Sequence, residues 1–423
     1  MNPASPSGRS DRRLPELLAP AGSHEKLVTA VRYGADAVYL GGRDFSLRAR
    51  AANFDAAGLR RAVDHAHDHG VKAYVTVNIF AHNRDFEELA PYLEELRDGG
   101  ADGLIVADPG ILTLAAQVVP ELPIHLSTQA NVTNAASARF WAAQGVRRLN
   151  LARELGLEEI HAIRAATAAE LEVFVHGALC ISYSGRCLLS SYFTGRSANQ
   201  GDCAHPCRYR YALVEEKRPG QYFPVEEDER GTYIFNSRDL CLLFRLPELV
   251  AAGVDAVKIE GRMKSVGYVG AVVRLYRLAL DWIGAQMEAG QAPADLVLPS
   301  AFRNEIEKIG TRGQSENFFS AHPSSGDMLY DTMRLEQSWV PAAVVRTATP
   351  LAVETRHTIA PGDRLEYLGR SIEPETVTIT GLWAEDGTPL DRAHPGRLVR
   401  LHTDPPLAGV APATILRRNT ESA

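Results

Sequence analysis

ELLAPAGSHEKLVTAVRYGADAVYLGG, residues 16–42, holds a short aliphatic run, an amphipathic stretch and a second aliphatic run closed by two glycines. Outward from it the same order returns. The runs KAYVTVN (72–78), GLIVADPG (103–110), PIHLSTQ (123–129), RRLNLAR (147–153), LEVFVHG (171–177) and AVKIEGR (256–262) bring the total to eight. The segments between them carry a helical apolar stripe: in FDAAGLRRAVDHAHDHG, Leu59, Ala62, Val63 and Ala66 recur at helical spacing with charges between. Strands this apolar call for cover on both faces. Eight of them alternating with helices predict an α/β fold, a (β/α)8 TIM-type barrel. A doubly wound open sheet is the structural alternative.

The rhythm breaks once, between the seventh and eighth runs, where all five of the chain's cysteines fall. The organisation read from this is a disordered leader over 1–13 and a barrel over 14–300 with a cysteine-bearing insertion at 178–250. A polar linker follows at 301–335, and a small β-barrel domain at 336–420. That last domain is signalled by short β-like runs such as PAAVVRTAT, GDRLEYLG and ETVTITGLW between Gly and Pro turns. The 423 residues contain 45% hydrophobic residues, and no apolar run approaches the roughly 20 needed to span a membrane. The charged start lacks the apolar centre of a secretory signal, which predicts a cytoplasmic protein without a membrane partner. In a reducing compartment, clustered cysteines point to metal or redox work rather than disulfides. A net charge of -7 gives no general attraction for polyanions, so any nucleic acid must meet a local basic face.

Four of the five cysteines lie in CISYSGRCLLSSYFTGRSANQGDCAHPC, residues 180–207. Cys180 with Cys187 and Cys203 with Cys207 form two pairs joined by Ser, Gly and Asn, which lets four thiolates converge beyond the C-terminal end of a barrel strand. Barrel enzymes place their chemistry at that end. An iron–sulfur cluster, a structural zinc and incidental burial are all compatible with the spacing.

The residues closing the strands are expected to face a common mouth: Asn78, Gln129, Asn131, Arg153, His176, Glu260 and Arg262. Loop arginines Arg48 and Arg50, with Arg186 and Arg196 near the cysteines, add positive charge. Guanidinium forks bind carboxylates and phosphates, although each could instead pair with a nearby acid. His176 could serve a cysteine as general base, orient a ligand or bind substrate. Glu260, flanked by Lys258 and Arg262, is expected to position substrate or an arginine rather than take protons. Tyr183, Tyr192, Phe193, Tyr209 and Tyr211 could stack on unpaired bases or form the core of the cysteine lobe. For Arg262→Lys, the position at a strand end predicts lost activity with stability near the parent's.

EVFVHGALCISYSGRCLLS (172–190) resembles the signature of the collagenase-like U32 peptidase family, and NQGDCAHPCRY, NSRDLC and VKIEGRMKS fit its further blocks. GDRLEYLG and its surroundings are similar to the C-terminal β domain of the family's bacterial tRNA uridine 5-hydroxylation branch. The resemblance implies oxygen-independent 5-hydroxylation of a wobble uridine in the tRNA anticodon loop, with prephenate as hydroxyl source. It also implies an iron–sulfur cluster of the 4Fe–4S type on Cys180, Cys187, Cys203 and Cys207, with Cys241 a spare or substitute ligand. Peptidase activity is the rival reading, yet neither HExxH nor GxSxG occurs. A scaffold that only binds tRNA is a third. The oligomeric state is left open by the sequence, and an oligomer is compatible with it.

Overall fold

A computed structural model describes residues 14–42, 45–46, 53–179, 186–196, 198, 202–206, 212–214, 222–224, 236–310, 313–320, 328–329, 338–407 and 410–420. The leader expected at 1–13 lies outside them. Eight parallel strands form the main sheet: β1 (Glu16–Pro20), β2 (Ala37–Leu40), β3 (Lys72–Val77), β4 (Gly103–Val106), β5 (Ile124–Leu126), β6 (Arg148–Asn150), β7 (Glu170–Gly177) and β8 (Ala256–Ile259). Strand β8 pairs with both β1 and β7 and closes the barrel. All eight runs read from the sequence became barrel strands.

Between them run α1 (His24–Arg32), α2 (Ala56–His67), α3 (Phe86–Asp98), α4 (Pro109–Val118), α5 (Ala135–Ala143) and α6 (Leu157–Ala166). Ser23, Asp55, Asp108 and Asn134 cap four of these by accepting first-turn backbone N–H groups, which is why each helix starts directly after its strand's loop. Leu59, Ala62, Val63 and Ala66 of α2 are buried as the stripe predicts. They join Leu17, Val38, Val75, Leu104, Leu126, Leu149 and Val173 in one core between strands and helices.

The inner face of the barrel departs from the doubly apolar expectation. Arg148 of β6 reaches across the interior to Glu16 of β1 at 2.6 Å and also pairs with Glu170 at 2.8 Å. Lys258 of β8 binds Glu172 of β7 at 2.8 Å, both nearly without solvent contact. Tyr39, Tyr74 and His125 line the same space, with the Tyr74 and His125 rings 4.4 Å apart. The strands are therefore apolar outward and ionic inward, with each inner charge paired as burial demands.

After β7 come α7 (Leu189–Thr194) and a short strand Asp239–Cys241, antiparallel to β7. Leu242, Leu243, Leu246 and Leu249 then enter the barrel core, so from residue 239 onward the stretch read as insertion is already barrel. The helix α8 (Leu246–Ala251) leads into β8, and α9 (Val266–Glu288) follows it, with Tyr276 fully buried. In the stretch read as linker, α10 (Ala301–Glu307) sends Phe302 and Ile306 into the same core. Phe302 and Ile306 lie one helical turn apart, and the polar stretch TRGQSEN that follows them hides this helix in the sequence. Six antiparallel strands make the closed C-terminal barrel, β9 (Trp339–Ala348), β10 (Leu351–Thr355), β11 (Arg364–Tyr367), β12 (Glu375–Trp383), β13 (Leu398–Asp404) and β14 (Ile415–Asn419). It docks by specific groups: Tyr33 Oη accepts the Ile415 N–H at 2.9 Å and donates to Leu368 O at 3.2 Å. A buried cluster of Arg274, Glu305 and Arg417 spans the same boundary. Among the described residues, no helix is long and apolar enough to cross a membrane.

Candidate active site at the barrel mouth

The C-terminal ends of β1 to β3 enclose Arg262, which is 3% exposed. Its fork donates to Ser46 Oγ at 3.0 Å, Thr76 Oγ1 at 3.3 Å and Asn53 Oδ1 at 2.7 Å. Lys26 Nζ donates to the Arg262 carbonyl at 2.9 Å and adds a second cation. Glycines make this packing feasible: a Cβ on Gly22 would lie 2.0 Å from Arg262 O, and one on Gly41 would lie 2.4 Å from Arg262 Nη2. The expectation that Arg262 is a mouth surface group of little structural weight is thus corrected. Lysine carries its three donors on one nitrogen and cannot span the partners of two separate Nη groups. Arg262→Lys is expected to lower both activity and stability, the latter by about 1–3 kcal/mol, which chemical denaturation beside a turnover assay would read.

A neutral amide cluster follows at β3 to β5. Asn78 Nδ2 donates to Gln129 Oε1 at 2.7 Å, Ser127 Oγ donates to the same oxygen at 3.1 Å, and Asn131 Nδ2 donates to Gln129 O at 2.8 Å. Asn131 reaches this place from a left-handed backbone, φ 54°, which asparagine tolerates better than most residues. Next around the rim, Arg153 lies flat on Phe174, its guanidinium carbon 3.8 Å from the ring centre. Its Nη1 donates to Ala178 O at 2.8 Å and its Nη2 meets Glu260 Oε2 at 3.2 Å. Glu260 therefore orients Arg153, whereas Lys258, read as its neighbour in charge, is committed to Glu172 below.

His176 does not face the mouth. The β7–β8 register shifts between Lys258 and Ile259, which sets His176 opposite Ile259 and turns its ring toward α9. There its ring centre lies 5.5 Å from that of Tyr276 and 5.9 Å from that of Tyr268, and Nδ1 is 3.3 Å from Tyr276 Oη. Cys241 is its cross-strand partner. Burial pushes the His176 pKa down to about 4 and pushes the Cys241 thiol up to about 11. The ring is a neutral inner group, not a mouth base, and the strict alternation used on the sequence could not see the irregularity. Burial, and then the Arg148 charge, also hold His125 well below its usual range. Depressed folded pKa values mean stability that is present above about pH 6.5 and lost as the unfolded state takes up protons below it. His125→Phe is expected to flatten the loss of thermal stability between pH 7 and pH 5, as melting curves at the two values would show.

On the cysteine lobe, Cys203 Sγ accepts the His205 N–H at 3.3 Å, and Ser190 Oγ of α7 accepts the Ala204 N–H at 2.9 Å. Cys187 is half-buried just before α7. Arg196 pairs with Asp202 at 2.8 Å, which ties the two cysteine segments together and makes it a structural brace, while Arg186 is exposed. Leu188 and Tyr192 stand out in solvent at 69% and 83% exposure, and Phe193 packs against Tyr192 with ring centres 5.2 Å apart. Cys180, Cys207, Arg48, Arg50, Tyr183, Tyr209 and Tyr211 lie outside the described residues. The sequence reading missed Ser46, Asn53, Thr76, Asn150 and Phe174. Counting inward positions by twos from Arg148 or Glu172 would have found Asn150 and Phe174.

The family model for peptidase family U32 matches residues 22–329, and that for the U32 C-terminal domain matches residues 342–417. The chain belongs to peptidase family U32. It is 36% identical to tRNA hydroxylation protein P1 of Bacillus subtilis, over 96% of this chain and 94% of the relative. To tRNA hydroxylation protein P of Escherichia coli it is 38% identical, covering 73% of this chain and 75% of the relative. A third relative is the Escherichia coli 23S rRNA 5-hydroxycytidine C2501 synthase, 36% identical over 85% of this chain and 53% of that protein.

Proposed function

We propose that this chain is a cytoplasmic RNA-modifying enzyme that hydroxylates C5 of a wobble uridine in the tRNA anticodon loop. The observation that carries the reading is the likeness to a tRNA hydroxylation protein along nearly the whole of both chains, both barrels included. The 5-hydroxycytidine synthase makes the same change on a different pyrimidine, which supports C5 oxygenation as the shared chemistry. The mouth fits that task better than peptide hydrolysis. It offers an arginine fork, neutral amides and an arginine stacked on an aromatic ring. The buried Cys241 thiol, held protonated, is a poor nucleophile.

Turning C5–H into C5–OH oxidises the base by two electrons, so the oxygen donor must leave reduced by two. Prephenate is the proposed donor, its carboxylates drawn to the cationic end formed by Arg262 and Lys26. A 4Fe–4S cluster is proposed on Cys180, Cys187, Cys203 and Cys207. Cys203 fits such a role because its sulfur accepts a backbone N–H, an interaction that stabilises a thiolate ligand. Bound there, the cluster would supply redox-active iron beside the mouth. The chain's own residues would hold the RNA and align the donor. Tyr192, Phe193 and Leu188 offer an exposed stacking face for flanking nucleotides.

Expression in cells lacking their own pathway should restore 5-hydroxyuridine to tRNA digests. Cleavage of gelatin without added RNA, with tRNA left unmodified, would return the chain to the peptidases. Binding of tRNA with no change in its nucleosides would make it a scaffold.

A further inference from the structure

We infer that the side chains of Gln129, Asn150 and Arg153 read the Watson–Crick edge of the target uracil. The inference rests on the pyrimidine hydroxylation proposed above and assigns its base-recognition residues. Gln129 is 4% exposed and Asn150 is 2% exposed. Gln129 Nε2, Asn150 Oδ1 and Arg153 Nε are buried polar atoms without a hydrogen-bond partner. Buried groups of this kind are rare in folded proteins and call for an explanation. These three occur together at the C-terminal end of the barrel, where ligands bind.

Their orientation follows from the strands. On β5 and β6, Leu126 and Leu149 face the helix layer, while His125 and Arg148 face inward. Ser127 and Asn150 continue the inward parity, and Gln129, in the single 3-10 turn Thr128–Ala130, is held beside Ser127 and Asn78 by the hydrogen bonds to its Oε1. The Gln129 amide cannot be reversed without loss, because its Oε1 already accepts from Asn78 Nδ2 at 2.7 Å and Ser127 Oγ at 3.1 Å. Nε2 is therefore the donor left over. Each Nη group of Arg153 already has a partner, and its Nε–H is a second donor with none. In rim order from β5 through β6 to the loop after it, the open groups run donor, acceptor, donor.

Uracil presents the complement: O4 accepts, N3–H donates and O2 accepts. Cytosine presents a donor and two acceptors, so its N3 lone pair would face the Asn150 carbonyl oxygen. Bound by this edge, uracil keeps its C5–C6 side uncovered, and C5 is the atom to be oxidised. A dicarboxylate fits this part of the rim poorly, because neutral amides do not balance its charge. The Arg262 end takes the anion and the Gln129–Asn150 end takes the base.

The test uses anticodon stem-loops carrying uridine, N3-methyluridine or cytidine at the target position, with binding and hydroxylation measured for each. The parent should bind the uridine loop at least about tenfold more tightly than either other loop, since each loses a hydrogen bond or gains a repulsion. Asn150→Ala should weaken the uridine loop and erase the penalty for N3-methylation. Gln129→Glu keeps the oxygen that Asn78 and Ser127 use and loses the amide donor, so it should weaken the uridine loop, with a melting temperature lowered by the buried carboxylate. Equal binding of all three loops by the parent overturns the inference without any variant, as does discrimination that survives both substitutions. A parent that discriminates among the loops but makes no 5-hydroxyuridine would leave the base site standing and sink the hydroxylation reading instead.

Discussion

Cys203→Ala is expected to bleach the anaerobically purified protein, remove its iron and acid-labile sulfide, and abolish 5-hydroxyuridine formation, while the barrel stays folded. Cys203 lies on the lobe, outside the continuous core that joins strands and helices, so deleting its sulfur removes the proposed ligand without opening a cavity there. The neighbouring restraints, the Ser190–Ala204 hydrogen bond and the Arg196–Asp202 pair, do not involve its sulfur. A cluster held by four thiolates tolerates the loss of one poorly, so the effect on activity should be close to complete. Cys241→Ala separates ligand from core: with the four clustered cysteines as the ligands, it should keep its iron and lose some stability. Stoichiometric zinc without labile sulfide in the parent would reject the cluster, and full activity in Cys203→Ala would reject the ligand assignment.

Glu172→Leu is expected to destabilise the main barrel by about 3–5 kcal/mol, because it strands the Lys258 ammonium in an interior that gives it almost no water. The two side chains meet at 2.8 Å, with Arg148 a further 3.6 Å from the other Glu172 oxygen. The rings of Tyr39 and Phe174, 4.6 and 5.3 Å from the ammonium, offer only partial compensation. Removing both charges, as Glu172→Leu with Lys258→Met, should recover most of the loss, since the pair's own attraction is largely offset by its desolvation. Denaturation of the two variants beside the parent measures this. A single variant within about 0.5 kcal/mol of the parent would show that the interior admits water, because changes that small are typical of surface substitutions. Arg153 and Phe174 border this layer, so activity should follow stability in the single variant.

Several features needed nothing beyond the order of residues. Gly, Pro and Asn breaks at the ends of aliphatic runs placed all eight barrel strands, the spacing of Leu59, Ala62, Val63 and Ala66 placed a helix face, and the crowding of cysteines marked the lobe. These are local signals, set by backbone conformation and side-chain period within a few turns of chain. Gln129, Arg153 and Arg262 were also legible as strand-end polar residues. Their partners were not, because Ser46, Asn53 and Thr76 come from other strands and loops. Only the tertiary structure decided that Arg262 is a buried strut as well as a cation, and that Glu260 serves Arg153. The same holds for His176, turned away from the mouth by a single register shift against β8. The docking of the second barrel through Tyr33, Arg274, Glu305 and Arg417 likewise joins residues hundreds of positions apart. The reason is the same throughout: alternation along one strand names two faces, but which face becomes interior, and which residue lies opposite which, depends on neighbouring strands that the local sequence does not contain.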